Sequence, residues 1–259
     1  MLVHFSTLLI EPPGIDSELL KLMLAPEKFQ VKSAECGTEA WNLIQETEPP
    51  DLVVIDIDLP HIGEIRIGGT QLLQLLGKKD GWCDTPKIVL TSAPNASIPK
   101  QLPISQIAAI ILKPYDPMRL MNEVNDCIAR QMDLHVEEIN RQHIQLAGLL
   151  RELLNSSKNN SAITSFNKQL KHFLSFTESH FAFEENFMCR HNYPDFSMHH
   201  QNHNALLMKI KSMIDKVMND DSSNHLEMLD SLKQELFSDV NDDKSYITFL
   251  QDMRMQLMT

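Results

Sequence analysis

The stretch FTESHFAFEENFMCRHNYPDFSMHHQNH, residues 176–203, places His180 four residues before Glu184 and His199 four residues before His203. Four residues along an α-helix is just over one turn, a rise of about 6 Å, so the two side chains of each pair lie on one helix face. Each pair can direct two donor atoms at the same ion. The spacing therefore predicts metal-site geometry in this part of the chain.

The length and composition of the chain indicate a globular protein with more than one domain. A sequence of 259 residues with 42% hydrophobic content can build a sizeable core for each of two domains. No run of eighteen apolar residues appears, and the N-terminal MLVHFSTLLIEPP lacks a basic region and a cleavage site. We therefore expect a cytoplasmic protein without a membrane span or a signal peptide.

Cysteine spacing and net charge exclude two further classes of protein. The four cysteines are far apart in the sequence and form no C-x-x-C pair, which favours free thiols in a reducing compartment. The net charge of −12 argues against binding of nucleic acid, because phosphate backbones are bound by clustered Lys and Arg.

The composition changes along the chain. All glycines except Gly148 lie at or before Gly81, Pro194 is the single proline after Pro117, and nine of the eleven histidines follow residue 131. This shift predicts two domains, residues 1–130 and 131–259, with the boundary near residues 130–135. The junction has no cluster of Pro, Gly or Ser, so we expect a helical connection rather than a flexible linker.

Short apolar runs alternate with helical patterns in the first half. The runs are STLLI at 6–10, DLVVIDI at 51–57, KIVLTS at 87–92 and AAIIL at 108–112. Runs that are apolar on both faces are typical of central parallel strands covered by helices, so we predict a doubly wound α/β domain. The chemistry of this fold lies beyond the carboxyl ends of the strands, where the sequence places Glu11, Asp56, Thr91 and Lys113.

Three segments of the first half resemble the later strands of a bacterial response-regulator receiver domain. They are PPDLVVIDIDLP at 49–60, PKIVLTS at 86–92 and ILKPYDP at 111–117. The resemblance implies a five-stranded flavodoxin-like fold in which Asp56 accepts a phosphoryl group from a sensor histidine kinase or a phosphotransfer protein. It also implies that Thr91 bonds the phosphoryl oxygens, that Lys113 neutralises their charge and that Mg²⁺ assists.

One departure from this pattern weakens the expected Mg²⁺ site. The family has an acidic pair after the first strand, whereas this chain has Glu11 followed by Pro12. Mg²⁺ requires near-octahedral oxygen ligation, for which Glu11, Asp56 and a backbone carbonyl near Asp58 remain. An unusual loop, HIGEIRIGG at 61–69, follows the site. Two hypotheses stay open: a phosphorylated receiver, or a degenerate receiver that keeps the fold for homodimerisation or docking.

The second half has four apolar stripes at helical spacing, which predict an up-down-up-down four-helix bundle. Each stripe contains polar residues where a core helix would have leucine, and burial of unpaired charge costs several kcal/mol, so these residues need partners. They are His143 in the first stripe, His180 and Glu184 in the second, His199 and His203 in the third, and Asp239 and Asp243 in the fourth.

Four segments of the second half resemble hemerythrins, the oxygen-binding di-iron bundles. They are NRQHIQL at 140–146, SHFAFEENFM at 179–188, YPDFSMHHQNH at 193–203 and DDKSY at 242–246. The resemblance implies non-heme iron as the cofactor and dioxygen as a ligand. It implies that one iron is bound by His143 and His180, the other by His199 and His203, and that Glu184 and Asp243 bridge them.

The fourth stripe departs from the hemerythrin pattern. The family has a histidine five residues before the bridging aspartate, where this chain has Ser238, and Asp239 is the nearest replacement. A carboxylate there would make the site richer in oxygen and would still suit iron or manganese. Two alternatives remain: Asp239 is solvated at a helix end, or the helix breaks at NDD so that Asp243 becomes a cap. The remaining polar neighbours are expected to be solvated or to support the ligands, namely Glu185, His200, His172, His191 and His225.

These patterns together predict a two-component response regulator with a hemerythrin-like di-iron output or sensor domain. Its alternative is a degenerate receiver that docks an oxygen-sensing, redox-sensing or oxygen-activating bundle. We expect a protein that is not an enzyme, and a di-iron oxidase or peroxidase is the alternative.

Overall fold

The computed structural model of this protein describes residues 5–24, 28–60, 67–93, 107–158, 163–218 and 225–257. The chain separates into two units, one that extends to Gln131 and one that covers Met132–Gln256. Elements of the first unit are β1 (Phe5–Ile10), α1 (Ile15–Leu24), β2 (Phe29–Ala34), α2 (Gly37–Glu46), β3 (Leu52–Asp56), α3 (Gly69–Leu76), β4 (Lys87–Thr91) and β5 (Ile107–Leu112). The helices that follow are α4 (Pro117–Lys158), α5 (Ile163–Arg190), α6 (Phe196–Met218) and α7 (His225–Leu257).

The five strands of the first unit form one parallel sheet in the order β2-β1-β3-β4-β5. This is the strand order of a doubly wound flavodoxin-like domain, so the predicted fold class of the first half is confirmed. Strands β3 and β4 are buried at every position, which explains their unbroken apolar sequence.

Strand β2 was not among the predicted runs. Its sequence FQVKSA contains Gln30 and Lys32, and only Phe29 and Ala34 of its six residues are buried. It pairs only with β1 among the described strands and therefore lies at the sheet edge. Two of its exposed side chains, Gln30 and Lys32, are polar, so β2 lacks the continuous apolar pattern by which the other strands were found.

Side chains that alternate along the strands pack against helices α2 and α3. In β1, Leu8 and Ile10 belong to a cluster that also contains Ile44 of α2 and Leu72 of α3. Leu9, between them, is fully buried and points to the opposite face because successive side chains alternate in a strand. Burial on both faces holds the carboxyl ends of the strands in fixed positions.

The second unit is a bundle of α5, α6, α7 and the part of α4 that follows Gln131. All four helices contribute to one core, which includes Leu153, Phe173, Ile210 and Leu229. Helices joined by short connections pack as antiparallel neighbours, and the predicted helical bundle is confirmed. None of the helices in the described ranges combines the length and the apolar character that crossing a lipid bilayer would need.

The turn between α5 and α6 positions the central stretch of the sequence. Asn192 adopts a left-handed conformation with φ of 53°, and the N–H of Tyr193 donates to the carbonyl of Met188 over 2.9 Å. Asn is one of the few residues that accept this conformation, which ends a helix and satisfies its last carbonyls. Helix α6 then begins within four residues, so the two histidine-bearing helices are tightly connected.

Candidate metal centre and strand-end site

The carboxyl ends of the strands bring two carboxylates to one lysine. Lys113, which follows β5, donates to Asp56 Oδ2 over 2.8 Å and also forms a short ion pair with Glu11 Oε1. Asp56 and Glu11 are both 3% exposed. The structure therefore assembles three of the four residues predicted for the strand-end site, as the parallel sheet requires.

Backbone groups complete the environment of Asp56. Its Oδ1 accepts the N–H of Asp58 over 2.7 Å, and the Asp58 carboxylate accepts the N–H of Ser92 over 2.7 Å. Thr91 ends the neighbouring strand β4 and is fully buried, and its hydroxyl accepts the N–H of Ala93 over 3.1 Å. These bonds fix the loops on both sides of the aspartate.

Burial and the lysine act on the charges of this site in opposite directions. Burial raises the pKa of Glu11 to about 7, although Lys113 opposes this change. Burial favours the neutral amine of Lys113, yet its hydrogen bonds to Asp56 and Glu11 raise its pKa above the ordinary value. Lys113 therefore stays charged at neutral pH and offsets the carboxylates.

At the expected Mg²⁺ site, Glu11 offers an oxygen that suits a cation, whereas Pro12 offers none. Glu11 Oε2 is buried and has no hydrogen-bond partner, as a ligand oxygen would be in the absence of its ion. Pro12 offers no side-chain oxygen, so two carboxylates, Glu11 and Asp56, are available for Mg²⁺. Most of the unusual loop, residues 61–66, lies outside the described residues.

In the bundle, side chains from all four helices meet in two groups of donors. The first group is His143, His180, Glu184 and Asp243, and the second is Glu184, His199, His203 and Asp243. The donor atoms of each group lie within 4.8 Å of one another. Glu184 and Asp243 belong to both groups, so the structure brings together all six of the residues that the resemblance implied as ligands.

The two carboxylates each direct one oxygen at each group. Glu184 Oε1 is 3.7 Å from Nε2 of His143 and of His180, and Oε2 is 3.7 Å from Nε2 of His199 and of His203. Asp243 Oδ2 is 3.0 Å from His143 Nε2, and Oδ1 is 3.3 Å from His199 Nε2. Donors that bind one ion at about 2.1 Å can lie up to about 4.2 Å apart, so these separations suit an ion between them.

The buried donor atoms are otherwise without partners. Nε2 of His143, His180, His199 and His203 and both carboxylate oxygens of Glu184 and of Asp243 have no hydrogen bond within the described chain. Glu184 and Asp243 are fully buried. Buried polar atoms are nearly always satisfied, so this convergence of orphaned nitrogens and oxygens fits a pair of cations.

Charge and burial favour neutral histidines at two positions. Burial lowers the pKa of His180 to about 4 and that of His203 to about 3. Burial opposes ionisation of Glu184, yet the surrounding histidines lower the pKa of its carboxyl. Neutral imidazole and ionised carboxylate are the forms that bind metal ions, so burial favours the ligand form of these two histidines and the surrounding histidines favour that of Glu184.

Two residues outside the ligand set orient the histidines. His180 Nδ1–H donates to Gln142 Oε1 over 2.9 Å, and His203 Nδ1–H donates to Glu185 Oε1 over 2.8 Å. These bonds leave the Nε2 lone pairs directed into the cluster. Glu185 was expected to be solvated or to support the ligands, and its bond to His203 is the contact that the second role requires. Gln142 was missed, because its partner is 38 residues away in the sequence.

Asp239 lies beside the second group without belonging to it. Its Oδ1 is 3.4 Å from His203 Nε2, and its Oδ2 is buried without a partner. Asp239 is 5% exposed, and α7 runs without a break from His225 to Leu257. The alternatives of a solvated Asp239 and of a helix break that makes Asp243 a cap are therefore wrong. Its role as a ligand stays a prediction.

A second buried histidine cluster was not predicted. His135 Nε2 lies 2.9 Å from the hydroxyl of Tyr246, and its ring stacks on Phe187 with centroids 3.9 Å apart. Burial lowers the pKa of His135 to about 4. His191, one of the residues expected to be solvated or supporting, is 1% exposed, and its Nδ1–H donates to the carbonyl of Phe187 over 3.0 Å.

Comparison with known proteins finds a family profile that matches each half of the chain. Residues 8–125 match the profile of the Response regulator receiver domain, and residues 134–247 match that of the Hemerythrin HHE cation binding domain. The first match accords with the strand-end site, and the second supports a metal-binding site at the His and carboxylate cluster.

Two curated response regulators are similar to this chain over about half of its length. Response regulator GtcR of Aneurinibacillus migulanus is 32% identical over 122 residues, which are 47% of this chain and 46% of that protein. Response regulator Rre1 of Synechocystis sp. is 30% identical over 127 residues, which are 49% of this chain and 52% of that protein. The chain thus spans about half the length of the curated relatives it matches.

A solved structure with a similar first half is a signal receiver domain of a two-component histidine kinase from Clostridium thermocellum. It is 21% identical, has a TM-score of 0.42 and covers 48% of this chain and 97% of its own. Chemotaxis response regulator CheY4 of Vibrio cholerae is 18% identical, has a TM-score of 0.41 and covers 48% of this chain and 98% of its own.

Proposed function

Because residues 8–125 form a response regulator receiver domain and residues 134–247 a hemerythrin HHE domain, we propose that this protein is a two-component response regulator with a non-heme di-iron output or sensor domain. It would couple phosphorelay signalling with the sensing of oxygen, redox state or iron. The observation that carries the proposal is the pair of donor groups that share two buried carboxylates, Glu184 and Asp243.

In the receiver, Asp56 is the proposed acceptor of a phosphoryl group from a sensor histidine kinase or a phosphotransfer protein. The P–N bond of the donor phosphohistidine breaks and a P–O bond to the Asp56 carboxylate forms. Lys113, 2.8 Å from Asp56 Oδ2, offsets the added negative charge, and the buried Thr91 ends the adjacent strand where its hydroxyl can bond a phosphoryl oxygen.

In the bundle, the two donor groups would each bind one iron. Each group offers two imidazole nitrogens and two carboxylate oxygens, a mixed donor set that suits iron or manganese. When bound, iron supplies a change of redox state and a coordination position for dioxygen. His180 and His203 act as neutral ligands, held in that form by burial and oriented by their bonds to Gln142 and Glu185.

Regulation requires that the protein has two conformational states. Phosphorylation must favour one state over the other, and so must the redox or metal-binding state of the bundle. Phosphorylation of Asp56 would shift a two-state equilibrium of the receiver, and oxidation or loss of metal would do the same for the bundle. If both shifts act on one equilibrium, each event changes the free energy of the other by the same amount.

The experiment measures both events on the full chain. Anaerobically purified protein is analysed for iron, and its ultraviolet-visible spectrum is recorded before and after exposure to air, with and without a small phosphodonor. We expect about two irons per chain, an iron-dependent absorbance change in air, and labelling that is lost in Asp56→Ala. Absence of iron-dependent absorbance would refute the sensor half, and labelling unaffected by Asp56→Ala would refute the receiver half.

Pro12 favours a second candidate function for the first half. With one carboxylate of the Mg²⁺ site missing, the receiver would keep its fold for homodimerisation or for docking and would leave sensing to the bundle. Under this candidate, no phosphodonor labels Asp56 at any Mg²⁺ concentration, while the iron-dependent spectrum remains.

A further inference from the structure

An apolar groove of about 370 Å³ lies between α4 and α7 of the bundle. Its walls are formed by aliphatic and aromatic side chains, namely Ile144, Ala147, Leu154, Leu236, Phe237 and Val240. Ile144 is 75% exposed and Phe237 55% exposed. Two large apolar side chains that face solvent in one groove form a patch of the kind that marks a ligand site.

The groove has a defined direction. His143 on α4 is the lining residue at one end, and its contact with Asp243 over 3.0 Å shows which residue of α7 lies at the same level of the bundle. Arg151 is eight residues later on α4, and Lys233 is ten residues earlier on α7. At 1.5 Å per residue both cations lie about 12–15 Å from the His143 end, because the two helices are antiparallel.

The groove carries positive charge, whereas the protein as a whole carries net negative charge. Arg151 and Lys233 are among its lining residues, which include no Asp or Glu, although the chain has a net charge of −12. Neither cation forms an ion pair with another part of the described chain, and Lys233 Nζ lies 5.9 Å from the centroid of the Phe237 ring. A ligand with a negative head group would supply the missing partner.

We propose that this groove binds an amphipathic carboxylate, an aliphatic chain with one carboxylate head. The head group lies between Arg151 and Lys233, and the chain runs along Ala147 and Val240 towards His143. Its apolar surface is removed from water against the walls, and its charge is paired by two cations that are otherwise unpaired.

An occupied groove would cover the metal ligand that is most accessible. The His143 side chain is 11% exposed, whereas the side chains of the other ligands of both groups are between 0% and 5% exposed. The end of the bound chain would close the solvent path to His143. Binding of the carboxylate itself requires no metal ion, so this proposal does not rest on the proposed iron centre.

The test is isothermal titration calorimetry of the full chain, metal-free and iron-loaded, with hexanoate, octanoate and decanoate. We expect one site per chain and about fourfold tighter binding for each added methylene, until the groove is full. Octanol, which has the same chain without the charge, should bind at least tenfold more weakly than octanoate, because a charged head group forms the stronger bonds.

Three variants locate the site. Lys233→Glu and Arg151→Glu should each weaken octanoate binding by about 10- to 100-fold, and Ala147→Trp should abolish it by filling the groove. Lys244→Glu is the matched control, since Lys244 is exposed on α7 and is not a lining residue. All four positions are exposed, so we expect each variant to fold, and far-ultraviolet circular dichroism checks this.

Several outcomes would overturn the proposal. The first is that decanoate shows no saturable binding to either the metal-free or the iron-loaded protein. The second is that Lys244→Glu weakens octanoate binding as much as Lys233→Glu does. The third is that octanol binds as tightly as octanoate. Dimerisation that is lost in Ala147→Trp would assign the groove to a second copy of the chain. Sedimentation with anionic vesicles that is lost in Lys233→Glu, without octanoate binding, would assign it to a membrane surface. Binding to the metal-free protein together with a failed iron assay would overturn the proposed function alone.

Discussion

Replacement of Glu184 by Gln should remove both metal ions, whereas replacement of a single histidine should remove one. Glu184 is fully buried, and each of its oxygens lies 3.7 Å from the Nε2 atoms of two histidines, one pair per donor group. A glutamine side chain at this position would be nearly isosteric but neutral, and its amide nitrogen cannot bind a cation. The substitution therefore weakens both sites at once.

The magnitude follows from burial of the charge. Removal of one partner from a buried ionic contact costs about 3–5 kcal/mol, which corresponds to about 10²- to 10⁴-fold weaker binding for each ion. His180→Gln and His199→Gln each remove a donor from one group alone, so one ion should be retained. Glu185→Gln weakens only the support of His203 and should cost about 10- to 100-fold at the second group.

The assay is anaerobic titration of the metal-free protein with Fe²⁺ in competition with a chelator, followed by elemental analysis of ions per chain. Circular dichroism of each metal-free variant reports whether the bundle is folded. If Glu184→Gln keeps two ions at the affinity of the unmodified protein, or loses one and keeps the other, the two groups do not share this carboxylate and the bridging assignment is refuted.

Three further predictions concern stability and the receiver. Because burial lowers the pKa of His135 to about 4 from 6.5, folding loses stability as the pH falls from about 6.5 to 4, by at most about 3 kcal/mol. Chemical denaturation of His135→Gln should show a correspondingly smaller slope over that window, and an unchanged slope would contradict this cause. Gly69→Ala should destabilise the receiver by about 1–3 kcal/mol in thermal unfolding, since its Cβ would lie 2.5 Å from Ile57 Cα. Gly148→Ala, where a Cβ meets nothing within 4 Å in the middle of α4, should stabilise by about 0.5–1 kcal/mol, and equal effects at the two glycines would contradict the packing argument. Pro12→Asp should lower the Mg²⁺ concentration needed for phosphorylation of Asp56, and an unchanged Mg²⁺ dependence would show that residue 12 is not near the ion.

Local patterns were sufficient to predict most of the fold. Central strands β3 and β4 are buried on both faces, and the bundle helices repeat apolar residues at helical spacing, so both were found from short windows of sequence. Edge strand β2 was missed because Gln30 and Lys32 at its exposed positions interrupt the apolar run. The poor helix formers NDD at 241–243 were read as a possible break, yet α7 continues through them, since tertiary packing overrides weak propensity.

The candidate ligands were predicted because three of the helices carry them in pairs four residues apart on one face, and the remaining helix carries His143 in its apolar stripe. The spacing of His180 and Glu184 depends on the α-helix alone. The resemblance to hemerythrins then related the four helices to one another. Burial of Asp239 beside His203 could not be read from the fourth helix, because its partner is on the third.

What the sequence by itself determined is therefore local: the strand ends that carry Glu11, Asp56, Thr91 and Lys113, and the helix faces that carry the histidines and carboxylates. Tertiary structure alone decided which atoms meet. It directed the two oxygens of Glu184 at separate histidine pairs, set Gln142 and Glu185 behind His180 and His203, and placed two unpaired cations along the groove beside His143. The physical reason is that helix and strand periodicity act over a few residues, whereas these contacts join residues that are distant in the chain and depend on how whole helices pack.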